Sequence, residues 1–144
     1  MPIFSESSLK KLMSCDRRLQ VIFLEVVKHV DCTVIEGTRT EAKQQKLYKD
    51  GLTTTLNSKH LKRPSQAVDV VPYPLNWKRV RKDDPYELRK YVFLAGFVFA
   101  VAVQHNVIIR WGGAWKQRYV LNDPGDFQDL AHYELAKSGG YYQI

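Results

Sequence analysis

The residues of this chain best suited to chemistry are two histidines and a small set of carboxylates. His60 lies in a polar loop, in Ser58-Lys59-His60, shortly before Asp69. Asp69 itself sits inside Ala67-Val68-Asp69-Val70-Val71, a run that otherwise reads as a buried strand. An ionised carboxylate among valines is costly unless its charge is compensated. His132 comes near the end, in FQDLAHYEL, three residues after Asp129 and two before Glu134. Two histidines and a carboxylate suffice for a catalytic zinc site that keeps water in the fourth place. A dication would also make a carboxylate in an apolar strand favourable. A hydrogen-bonded His–Asp pair is the commoner use of the same residues, and spacing alone does not separate the two. His29 and His105 fall near the ends of expected helices, where an imidazole meets the last carbonyls, and are assigned to structure.

The elements that must position these groups follow from periodicity. Leu19, Ile22, Phe23, Val26, Val27 and Val30 recur at helical spacing and form an apolar stripe. A β-prone run, Thr33 to Glu36, ends at Gly37. Thr38 with Glu41 fits a capping box opening a polar helix that Gly51 stops. Leu52 to Pro64 reads as loop, and Ala67 to Val71 as a strand halted by Pro72 and Pro74. Asp84-Pro85 starts the most hydrophobic helix, ending near Asn106. Val107 to Arg110 is a strand that Trp111-Gly112-Gly113 breaks, and Leu130 to Leu135 is the last strand. This order predicts one α+β domain over residues 1–144, with a small, mainly antiparallel sheet backed by helices.

Composition bounds the function. With 144 residues, 44% hydrophobic and 26% charged, the chain is an ordinary globular domain able to bury a core. The longest apolar run, Tyr91 to Val103, is shorter than the ~20 residues of a membrane span and reads as a core helix. MPIFSESSLKKL lacks the order of a signal peptide, so a protein made in and soluble in the cytoplasm is expected. Cys15 and Cys32 have no metal-ligand spacing and read as reduced, half-buried thiols. The net charge of +7 predicts attraction to polyanions, either nucleic acid or an anionic cell envelope. A basic, non-catalytic nucleic-acid-binding domain, drawing on Lys78-Arg79-x-Arg81-Lys82, is the rival reading, but it leaves Asp69 and the His132 cluster unexplained.

Ser58-x-His60, Asp69 within AVDVVPY, and the terminal D-x-x-H-x-E-L of Asp129, His132, Glu134 and Leu135 resemble a family of zinc peptidases. The family comprises D-Ala-D-Ala carboxypeptidases and dipeptidases and the phage L-alanyl-D-glutamate endolysins. EGTRTEAKQQKLY resembles its G-x-R-T/S-x-x-x-Q segment, with Arg39 at the arginine, and RWGGAWK its W-G-G-x-W segment. The matches keep the family's order from about residue 33 to 136. Two departures stand out. The stretch between His60 and Asp69 is longer by two residues, with Ser65 where a glycine is usual, and Ala114 replaces a commonly acidic residue. A loop absorbs two residues cheaply.

The resemblance implies a D,D-peptidase/hedgehog-like fold and Zn²⁺ held by His60, Asp69 and His132. It implies hydrolysis of peptidoglycan, with the endolysin branch favoured over D-Ala-D-Ala carboxypeptidase or dipeptidase activity by the small single domain. It matches Asp129 to that branch's catalytic acid, while Glu134, sharing a strand face with His132, is either the base or a partner orienting a histidine. Arg39 is expected to bind the substrate carboxylate or the tetrahedral oxyanion, and Ser58 to donate to the substrate. One of Trp111 and Trp115 is expected in the core and one at the cleft. The remaining expectations are a monomer without nucleic-acid partner or membrane span, acting on the wall after release and aided by anionic envelope contact.

Overall fold

The apolar stripe of the second helix explains how the chain closes on itself. The computed structural model describes residues 1–137; positions 138–144 of the expected domain lie outside the described residues. In chain order the elements are α1 (Glu6–Met13), α2 (Arg17–Val26), β1 (Cys32–Glu36), α3 (Glu41–Lys49), a 3-10 turn (Lys59–Leu61), β2 (Ala67–Pro72), α4 (Trp77–Val80), α5 (Pro85–Gln104), β3 (Ile109–Gly112) and β4 (Asp129–Leu135). Leu19, Ile22, Phe23 and Val26 of α2 are fully buried and face α5, whose Leu94, Ala95, Val98 and Ala102 are buried in turn. Both helices pack on one face of a four-stranded antiparallel sheet, ordered β1-β2-β4-β3. Val68, Val70, Tyr133 and Leu135 point into this core, where Phe23 meets the Tyr133 ring edge-on at 5.3 Å. Strand alternation turns Asp69, His132 and Glu134 to the other face. The α+β expectation holds.

Several local expectations are corrected. The cap of α3 is Thr40, which accepts from the Lys43 amide at 3.2 Å, and not Thr38. Thr38 and Arg39 are already committed to the preceding turn, their amides donating to Ser14 Oγ and the His60 carbonyl. β3 begins at Ile109 and runs through Trp111 and Gly112, where the expected strand started at Val107 and broke at Trp111. Asn106 and Val107 are spent closing α5: Asn106 adopts φ 55°, and the Val107 amide donates to the Ala102 carbonyl at 2.9 Å. The hydrophobic helix is buried on one side only, since Phe93 is 63% and Val103 56% exposed. Cys15 and Cys32 are fully buried, and burial pushes their thiols up to about 11 and about 12. Two elements, α1 and α4, had no expectation. No helix among the described residues is long and apolar enough to cross a membrane.

Candidate metal centre

The sheet register brings the candidate ligands together. Asp69 on the central strand β2 is paired with His132 on β4, and Ala67 with Glu134. On its other side β2 meets β1, where Glu36 is paired with Asp69. His60 arrives from outside the sheet, on the 3-10 turn that Ser58 caps by accepting from the His60 amide at 3.2 Å. The supposed polar loop thus delivers a buried imidazole, 1% exposed. Asp69 Oδ1 lies 3.2 Å from His60 Nε2 and 3.2 Å from His132 Nδ1. One ligand atom from each of the three residues lies within 4.8 Å of the other two, so the group is able to hold a metal ion.

The outer nitrogens define the chemistry of the inner ones. His60 Nδ1 is 2.7 Å from the Gly37 carbonyl, which only accepts, so that nitrogen carries a proton. His132 Nε2 is 2.9 Å from Glu134 Oε1. Burial would raise the Glu134 carboxyl, but hydrogen bonds from His132 and Lys59 outweigh it and bring it to about 2, so it too is an acceptor. Each imidazole then turns its remaining nitrogen to Asp69. Without a cation between them, the His132 nitrogen must take a second proton to bond the carboxylate. That is the state favoured for metal-free His132: burial lowers it, yet its bonds to Asp69 and Glu134 raise it to about 9. For Asp69, burial acts upward and is overcome by His132 and His60, which hold its carboxyl well below the ordinary range. Once deprotonated, the two inner nitrogens would converge with the Asp69 oxygen, each histidine tied from behind to a carbonyl or carboxylate, a donor set able to hold a nitrogen- and oxygen-ligated divalent metal.

Arg39 lies in the β1–α3 turn, its side chain 11% exposed and its guanidinium 3.8 Å from Asp69 Oδ2. Glu36 grips it from below with two bonds, 3.0 and 2.7 Å, and Gln44 accepts a third at 2.8 Å. Gln44 also donates to the Thr55 carbonyl at 2.7 Å, pinning the loop ahead of His60. Asp129 opens β4; burial and the charge of Asp69 raise its carboxyl above the ordinary value, against the pull of His132, His60 and Arg39. Its main chain presses on Gly112, where an added Cβ would sit 1.8 Å from the Asp129 carbonyl oxygen. Of the two tryptophans, Trp111 is in the core at 2% exposure, while the Trp115 ring lies 5.5 Å from His132. Ala114 is buried and offers no polar group.

Sequence reasoning missed three supports. Lys59 bonds Glu134 at 3.0 Å and reaches the Leu135 carbonyl, a role that nothing in its position beside His60 announced. Glu36, three residues before Arg39, carried the signal of an i,i+3 ion pair that was not drawn. Ser65, at the family's glycine position, is fully buried and bonds the Ala67 carbonyl at 2.6 Å and the Gly37 carbonyl at 3.3 Å. Its main chain is bonded to Ser14 and Asp16, so the longer loop is stitched to the α1–α2 junction.

Comparison with known proteins agrees with this architecture. The chain matches a family described as phage L-alanyl-D-glutamate peptidase over residues 2–136. A solved structure, the Serratia marcescens L-Ala D-Glu endopeptidase ChiX, is similar with a TM-score of 0.73 and 27% sequence identity, over 94% of this chain and 91% of that one. A search of curated protein sequences finds no match. A family match that runs from the first helix to the end of β4, and so includes every residue of the His–Asp–His group, makes this chain a member of the phage L-alanyl-D-glutamate peptidase family.

Proposed function

We propose that the chain is a zinc endopeptidase that hydrolyses the L-alanyl–D-glutamate bond of peptidoglycan stem peptides, with His60, Asp69 and His132 as metal ligands and Asp129 moving the proton. The observation that carries this reading is the tethering of both histidines by their outer nitrogens, which leaves two lone pairs and the Asp69 carboxylate facing one another. Bound zinc would supply an acidic water near neutral pH and polarise the scissile carbonyl.

The protein's own groups do the rest. Asp129, raised by burial and by Asp69, is the carboxylate suited to take a proton and return it to the leaving amine. Glu134 is occupied by His132 and Lys59 and is the positioning residue of the two. Arg39, clamped by Glu36 and Gln44 and aimed at Asp69, is placed for a developing oxyanion better than for a mobile carboxylate. Ser58 acts through the turn that carries His60. We further infer a monomer that accumulates in the producing cell's cytoplasm and meets the wall after release, its +7 charge favouring the anionic envelope.

The test is twofold. Purified protein should hold one zinc per chain, and His132→Ala should lose both zinc and lysis. Digested peptidoglycan should show new N-terminal D-glutamyl groups by mass spectrometry, with L-alanine left on muramic acid. Released D-alanine from otherwise intact stems would overturn the bond assignment, and a His132→Ala protein with full zinc would overturn the ligand set.

A further inference from the structure

A groove of about 820 Å³ opens beside Asp129. The first half of α5, with Leu88, Arg89 and Tyr91, forms one wall, and the loop after β3, with Leu121 and Asn122, forms the other. None of His60, Asp69 and His132 lines it, but Asp129, whose carboxyl feels the charges of all three, does. Its volume falls in the range of clefts that take a drug-sized ligand, roughly 300–1,000 Å³.

The position of Asp129 gives the groove a direction. Asp129 lines the groove, and its carboxyl feels the charges of Asp69, His132 and His60. In the reading above Asp129 returns its proton to the leaving amine, so the substrate atoms beyond Asp129 belong to the segment that this amine begins. We propose that the groove binds the D-glutamyl side of the substrate, the leaving residue and the peptide that follows it, with Arg89 meeting a carboxylate there. This rests on the role assigned to Asp129.

The lining chemistry suits that occupant. A D-glutamyl residue has two carboxyls and continues the chain through one, so the other stays a free anion. Arg89 is exposed, its guanidinium stacked 4.0 Å above the Tyr86 ring, and no ion pair of Arg89 is found among the described residues. Stacking orients the planar fork while leaving its edge free for a carboxylate. Leu88 and Leu121 supply apolar walls for aliphatic carbons. Asn122 fixes the second wall, its side chain accepting from the Trp115 amide at 2.7 Å and donating to the Gly112 carbonyl at 3.0 Å. Asp83 also lines the groove, so a segment bearing an amino group as well as a carboxylate fits best.

The experiment uses the intact zinc-loaded chain and two synthetic substrates. One is muramoyl-L-alanyl-D-glutamic diamide; the other continues from D-glutamate into a diamino acid with free carboxylates. The readout is the ratio of kcat/KM for the longer substrate to that for the shorter. Wild type should favour the longer one, and Arg89→Ala should lower the ratio by about ten-fold, the scale of a hydrogen bond between charged groups. Leu121→Glu, which sets an anion in the opposite wall at a side chain already 57% exposed, should lower it as well. Ratios within two-fold of wild type in both variants would overturn the groove assignment. Failure of wild type to cut either substrate after L-alanine would instead overturn the reading of the reaction on which it rests.

Discussion

Replacing Gly112 by alanine tests whether catalysis depends on where β3 lets Asp129 sit. The added Cβ would lie 1.8 Å from the Asp129 carbonyl oxygen, 2.6 Å from its carbonyl carbon and 2.9 Å from its Cβ, all well inside the 3.4 Å at which ordinary contact begins. Two of these neighbours are main chain, so no rotamer change relieves the overlap. The Asp129 backbone must retreat by about 1.5 Å to restore contact distance. A misplacement on the 1 Å scale costs about 10²-fold in rate, because general acid–base transfer demands hydrogen-bond reach. Overpacking of this kind costs about 1–3 kcal/mol, a lowering of Tm by roughly 3–10 °C for a chain of this size. The nearest atoms to the added Cβ all belong to Asp129 and none to His60, Asp69 or His132, so zinc should stay. Expected, then, are about one zinc per chain by elemental analysis, a modestly lower Tm, and kcat/KM on a muramoyl peptide down about 10²-fold. Gly96→Ala is the control: nothing lies within 4 Å of its added Cβ, and an exposed helical glycine replaced by alanine should gain ~0.5–1 kcal/mol. Wild-type turnover in Gly112→Ala would refute the claim that Asp129 must be held where it is. Loss of zinc along with activity would show that the close approach supports the whole centre.

Asp129→Asn should keep fold and zinc while turnover falls by about 10²-fold or more; if Glu134→Gln gives that phenotype instead, the two roles are reversed. Metal-free protein should lose stability as pH rises. The pKa of His132 is raised to about 9, above its unfolded value near 6.5, so the stabilisation is complete below about pH 6.5 and lost through pH 9. Melting curves of the chelated protein from pH 6 to 9 check this, and a flat or rising Tm contradicts it. Zinc affinity should rise over the same window, because the bound proton has to leave. Lysis of whole walls should weaken with salt more steeply than cleavage of a neutral peptide, because exposed charges are screened beyond about 8 Å at physiological ionic strength; equal sensitivity would remove steering by the +7 charge.

What could be read from the chain was whatever depends on residue type and period. Asp69 announced itself because a lone carboxylate within AVDVV has no apolar explanation, and the apolar stripe of α2 is set by spacing alone. Asp84-Pro85 marked the start of α5 because a cap and an N1 proline act locally: Asp84 accepts from the Tyr86 amide at 2.9 Å. What escaped depends on partners distant in sequence. Thr38 and Thr40 are equally good caps by type, and a hydroxyl from Ser14 decides between them. Which tryptophan lines the site follows from β3 pairing with β4 through Trp111. Lys59 becomes a support for Glu134 only when the 3-10 turn is laid across β4.

Gly37 ties the site to a part of the chain that carries none of its chemistry. Its carbonyl fixes His60, while its Cα is pressed so closely on α1 that an added Cβ would meet the Lys11 carbonyl oxygen and Ser14 Oγ at 2.3 Å. The first helix is therefore the floor beneath a candidate metal ligand, although sequence motifs begin only after it. For anyone wishing to graft this activity onto another targeting module, the portable unit starts at α1. A chain trimmed to begin at Cys32 would keep every named site residue and still leave the Gly37 carbonyl, and with it the orientation of the His60 ring, without support from behind.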